Sequence, residues 1–115
     1  MIKAIKVALD FISDYTKDTK KINCKAWKRY NRETKEYGQE AQCEVVVPLE
    51  EDEELHPGVL YPIDKKFVDV SEGLGYPDFK VEIYKKRAGN KSKKIIVYVC
   101  DDYDVEEYDE YIYDV

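Results

Sequence analysis

The sequence predicts a mostly β chain in the size range of a small barrel, carrying an acidic C-terminal tail, and three observations lead there. Apolar residues recur every second position in five or so short segments separated by polar, glycine- or proline-marked loops. Only one segment, at the N-terminus, also fits a helical stripe. The last 15 residues, 101–115, hold eight carboxylates and four tyrosines without a Lys or Arg. At 115 residues the chain is long enough for one core and too short for two domains. The expected organisation is a β domain over 1–100 followed by an acidic, tyrosine-rich tail over 101–115.

At the N-terminus Ile5, Val7, Leu9 and Phe11 alternate with Lys6, Ala8, Asp10 and Ile12, the two-residue period of a strand with one buried face. Ile2, Ile5, Leu9 and Ile12 also fit a helical stripe, so an α+β arrangement with an N-terminal helix is the alternative to the favoured strand. Residues 13–21 are polar and read as a loop. A long hairpin follows, with strands from Lys21 to Tyr30 and Gln39 to Pro48 and a polar connection over 31–38. Val45, Val46 and Val47 favour the second strand, and Pro48, lacking an N–H, ends it.

The run Leu49 to Leu55, LEEDEEL, reads as an exposed loop. His56-Pro57-Gly58 breaks the chain, and Val59 to Ile63 resumes in extended form, with Pro62 marking an edge or a bulge and not a central strand. Residues 65–70 fit no single pattern, and 71–78 form a glycine-punctuated loop with Tyr76 at its tip. The last hairpin joins Phe79–Lys86 to Lys94–Cys100 through a turn in which Gly89-Asn90 supplies positive φ.

The formal charge of −6 is unevenly placed: residues 1–100 hold 17 acidic against 19 basic side chains, so a slightly basic body carries an acidic end. Three cysteines, Cys24, Cys43 and Cys100, form no CxxC pair and follow no export signal, which predicts buried free thiols in a reducing cytoplasm. No apolar run approaches the roughly 18 residues that a membrane span requires.

Catalytic and metal chemistry have little to stand on. His56 is the only histidine, the cysteines are not spaced as zinc ligands, and the aspartates Asp101, Asp102 and Asp104 lack calcium-loop spacing. The expectation is a binding protein and not an enzyme, with no cofactor and no metal. The first hairpin carries the binding chemistry. Lys25, Trp27, Lys28, Arg29, Tyr30, Arg32, Lys35 and Tyr37 interleave cations with aromatic rings; cations neutralise phosphates and aromatic faces stack on unpaired bases. Lys85, Lys86, Arg87, Lys91, Lys93 and Lys94 form a second basic cluster on the last hairpin.

The ordered features resemble the single-stranded DNA-binding, helix-destabilising proteins of filamentous phages, the gene-five type. Met1-Ile2-Lys3 resembles that family's opening, Lys35-Glu36-Tyr37-Gly38-Gln39-Glu40-Ala41 its Lys-Pro-Tyr entry into a Gln-rich strand, and Pro57-Gly58-Val59-Leu60-Tyr61-Pro62-Ile63 with Phe67 its Pro-Gly-x-Tyr segment. Gly73-Leu74-Gly75-Tyr76 falls where the family has an aromatic-tipped loop, and Phe79–Lys86 where it has its closing strand. Over residues 1–87 the resemblance implies an OB-like five-stranded barrel, dimeric, coating single strands without sequence preference. It also implies that Tyr37 and Tyr76 stack on bases and that Lys35 contacts phosphate.

Two roles follow as expectations. In the first, the chain binds single-stranded DNA through the hairpin cations, with Trp27, Tyr30, Tyr37 and Tyr76 taking bases. Its tail, through Asp101, Asp102, Asp104, Glu106, Glu107, Tyr108, Tyr111 and Tyr113, competes for the groove or recruits a basic protein partner. In the second, the acidic surface imitates nucleic acid and inhibits a basic host enzyme or defence nuclease.

Overall fold

The computed structural model describes residues 3–32, 35–68 and 79–101. Helix α1 (Lys3–Ile12) leads through a short 3-10 turn (Thr19–Lys21) into β1 (Asn23–Asn31), β2 (Glu36–Pro48), β3 (Tyr61–Val68), β4 (Phe79–Arg87) and β5 (Ser92–Asp101). The strands make one antiparallel sheet in the order β1-β2-β5-β4-β3. Tyr76 and the tail beyond Asp101 lie outside the described residues.

The N-terminal segment is a helix, which corrects the favoured strand. Its buried positions are Ala4, Val7, Ala8 and Ile12, spaced three and four apart on one face. Two of these four are alanines, too small to register as apolar markers, so the larger Ile5, Val7, Leu9 and Phe11 gave a strand-like alternation that the packing does not use. Alanine is also the best helix former, and its missing bulk lets α1 lie close on the sheet. The Ala4 N–H, left without an intrahelical partner in the first turn, donates to Gln39 Oε1 at 3.2 Å.

The core lies between α1 and the sheet's middle: Ala41, Cys43 and Val45 on β2, Ile95, Val97 and Val99 on β5, and Phe79, Val81 and Ile83 on β4. All nine are odd-numbered, as one buried face of a pleated sheet requires. Register aligns them in rows across the strands: Ala41 pairs with Val99 and Val99 with Val81, then Cys43 with Val97 and Val97 with Ile83. Among the described residues one helix covers this face, and β1 and β3 are the outer strands. The sheet is therefore open, and the barrel expectation does not hold among the described residues.

Register also revises the cysteines. A hairpin joining Tyr30 to Gln39 would set Cys24 opposite Val45. The strands instead run on to Asn31 and Glu36, and this tighter reversal shifts the pairing by two residues. Cys24 then stands directly opposite Cys43, with Cα atoms 4.1 Å apart, and the two form a disulfide. Cys100 is buried, as expected, and takes no part in it. The premise of three free thiols thus fails for two of them. No helix among the described residues is long and apolar enough to cross a membrane.

Candidate nucleic-acid interface

The tight β1–β2 reversal builds an exposed aromatic and cationic tip. Tyr30 and Tyr37 are cross-strand partners, their ring centroids 4.9 Å apart and their planes tilted by 51°. Tyr37 is 61% exposed, and Lys28 holds its ammonium 5.7 Å from the Tyr37 ring centroid. Arg32 and Lys35 are exposed in the connecting turn, where Lys35 takes a left-handed φ of 61°. Lys28 is paired with Gln39, the residue that caps α1, and the Gln39 backbone N–H donates to Asp101 Oδ2 at 2.6 Å. The first turn of the helix and the end of β5 thus fix the base of the tip.

Trp27 belongs to the other face. Side chains alternate along a strand, so residues 27 and 30 cannot share a side. Trp27 is only 9% exposed; its indole N–H donates to Glu40 Oε2 at 2.6 Å and its ring lies 6.3 Å from that of Tyr98. Glu40 is itself 1% exposed, so its carboxylate is a buried acceptor whose bonds matter to stability. The structure separates Trp27 from Tyr30 and Tyr37, which the sequence reading had grouped. Lys25 is exposed on the Trp27 side, opposite Gln42, and the Arg29 backbone pairs with Gly38. Asp101 closes β5 and is part of the sheet, so the undescribed tail starts at residue 102.

The second basic cluster is engaged in part from within. The acidic run read as an exposed loop folds onto it: Leu55 is buried at 3% exposure, and Glu53 accepts hydrogen bonds of 2.7 Å from both Lys85 and Lys93. Arg87 donates to the carbonyl oxygens of Leu55, Gly89 and Asn90, and Lys94 pairs with Glu44 at 3.4 Å. The signal in the sequence was the match between LEEDEEL and the lysine-rich last hairpin, two runs of opposite charge. Gly89 has the expected positive φ, at 126°.

Burial alone would push the Glu53 carboxyl up, but hydrogen bonds from Lys85, Lys93 and the Glu50 backbone outweigh it and bring the group from its ordinary 4.5 down to about 2. A carboxyl lowered on folding adds stability that is complete above its unfolded value and is lost as pH falls through the folded one. Such a shift is worth about 3 kcal/mol at full strength, which solvent screening reduces to about 1–2. Glu53→Gln should therefore lower stability at neutral pH. The gap between variant and wild type should close as pH falls from 4.5 toward 2, as read from urea midpoints across that range.

On the face away from α1, the Tyr84 hydroxyl donates to Glu82, and this bond, with burial, pushes the phenol up to about 12. Lys80 pairs with the same carboxylate at 3.3 Å. Pro62, Ile63, Asp64, Lys65, Glu82 and Tyr84 line an open cleft of about 430 Å³ beside them. Among the described residues no three His, Cys, Asp or Glu side chains converge as metal ligands. Comparison with family models, curated proteins and solved structures finds no match for this chain.

Proposed function

We propose that the chain binds single-stranded DNA without sequence preference, at the tip of the β1–β2 hairpin. The observation that carries this reading is the exposed Tyr37 ring, backed by half-buried Tyr30 and beside Lys28. An exposed tyrosine ring offers a base a stacking partner, and Lys28, Arg32 and Lys35 surround it with cations for the flanking phosphates. The reading rests on this tip and needs no closed barrel.

The tail enters the same proposal as a competitor. Asp101 bonds the backbone of Gln39, the strand partner of Lys28, so β5 ends beside the base of the tip. Residues 102–115 carry seven carboxylates and no cation, the charge that phosphates would otherwise supply.

Anisotropy of a labelled oligo-dT with the full chain and with residues 1–101, which retain every described element, tests both parts. The shorter chain should bind several-fold more tightly, and binding by either should weaken steeply with salt. Equal affinities would remove the competitor role. No binding by either would remove the nucleic-acid reading, and recovery of a basic nucleic-acid enzyme on the full chain would then support the mimic role.

A further inference from the structure

The ladder between β2 and β5 starts at Glu40, so Tyr37, Gly38 and Gln39 have β1 as their only strand partner among the described residues. The tip is therefore a two-stranded ribbon, which is marginal by itself, and its geometry depends on the β1–β2 register. The Cys24–Cys43 disulfide, spanning 19 residues of sequence, closes the hairpin at its other end and fixes which residues meet. Cys24 is exposed, whereas Cys43 has no exposed surface.

We propose that reduction of this disulfide lets the β1–β2 pairing slip by two residues, so that thiol–disulfide exchange regulates the oligonucleotide site proposed above, on which reading the inference rests. A one-residue slip would turn every side chain to the wrong face, but a two-residue slip keeps each on its own. In the slipped register Cys24 meets Val45 and Ala26 meets Cys43, apolar against apolar on the helix side. On the other face Lys25 comes opposite Glu44 and Arg29 opposite Glu40. These are two pairs of opposite charge, where the present register sets Lys25 against Gln42 and Arg29 against Gly38. Glu44 pairs with Lys94 through Oε1, and its second oxygen takes Lys25.

Trp27 gives up its bond to Glu40 and moves opposite Gln42, the strand partner of Tyr98, so the two rings stay neighbours. Against the new charge pairs stand that lost bond and Lys28 set beside buried Ala41, so the covalent bond decides between the registers. Tyr30 then meets Gln39, which parts the tyrosine pair of the tip. The reductant is a dithiol. Its thiolate attacks the Cys24 sulfur, a mixed disulfide forms there, and Cys43 leaves as a thiolate that takes up a proton. The second thiol resolves the mixed disulfide, leaving two protein thiols and an oxidised, disulfide-bonded reductant. Cys100, paired with Glu40 on the Trp27 face, stands apart from this exchange.

NMR of the full chain with and without excess dithiothreitol reads the register from α-proton contacts across β1 and β2. The oxidised chain should show Ala26–Ala41, and the reduced chain should replace it with Ala26–Cys43 and Cys24–Val45. Emission of Trp27, the only tryptophan, should change with it. Affinity for oligo-dT should fall about fivefold or more on reduction and return on reoxidation with glutathione disulfide. Cys43→Ala combined with Val45→Cys should crosslink to Cys24, hold the slipped register and bind no better than the reduced wild type. A reduced chain that keeps Ala26–Ala41, or that loses every cross-strand contact by unfolding, would overturn the slip whatever its affinity. A slipped register with unchanged affinity would overturn its control of the site. Absence of binding in both redox states would instead defeat the site reading and the regulation with it, while the α-proton contacts still decide the slip.

Discussion

Ile12→Ala is expected to destabilise the protein by about 2–5 kcal/mol. Ile12 has no exposed surface and is the last of the buried positions by which α1 packs on the sheet. Its truncation removes apolar burial and leaves a cavity that neighbouring strands, fixed by their ladder, cannot fill. Lys6→Ala, on the exposed side of the same helix, should stay within about 0.5 kcal/mol of wild type. Urea unfolding of the two variants checks the helix directly. Equal effects would mean that α1 does not dock through the face described.

Tyr37→Ala should cost oligonucleotide binding about 1–3 kcal/mol, about fivefold or more in affinity, with little change in stability. The ring is mostly exposed, so the folded protein loses little with it, whereas a stacked base loses its platform. Trp27→Phe should behave in the opposite way. It removes the indole N–H that the buried Glu40 accepts and should cost about 1–3 kcal/mol of stability. Affinity should hold, because Trp27 faces away from the tyrosine pair. Anisotropy and urea midpoints on both variants separate the two faces of β1.

The strands were legible wherever one face is buried and the other is not. Ala41, Cys43 and Val45, then Val81 and Ile83, then Ile95, Val97 and Val99 all keep the two-residue period that the packed face imposes. The helix was less legible because Ala4 and Ala8 carry its contact face, and alanine is nearly silent in an apolar pattern. Sheet order was not legible, because β2 meets β5 across more than forty residues and nothing local specifies that pairing.

At the candidate site, residue types were easier to read than geometry. The aromatic and cationic residues of the first hairpin could be picked out, but their division between two faces depends on parity, and the Tyr30–Tyr37 pairing on the length of the turn. Counting parity alone would have parted Trp27 from Tyr30. The disulfide needed the turn as well, since a shift of two residues decides whether Cys24 meets Cys43 or Val45. The Glu53 clamp shows a further limit. A charge run looks solvated in sequence until an oppositely charged hairpin folds against it.

The claim that the β1–β2 tip is the binding site is tested most directly by titrating isotope-labelled full-length protein with oligo-dT and following backbone amide shifts. The largest changes should fall at Lys28, Tyr30, Arg32, Lys35 and Tyr37, with smaller ones over residues 85–94, where Glu53 already holds Lys85 and Lys93 and Glu44 holds Lys94. Shifts centred on residues 85–94, or none at all, would contradict it.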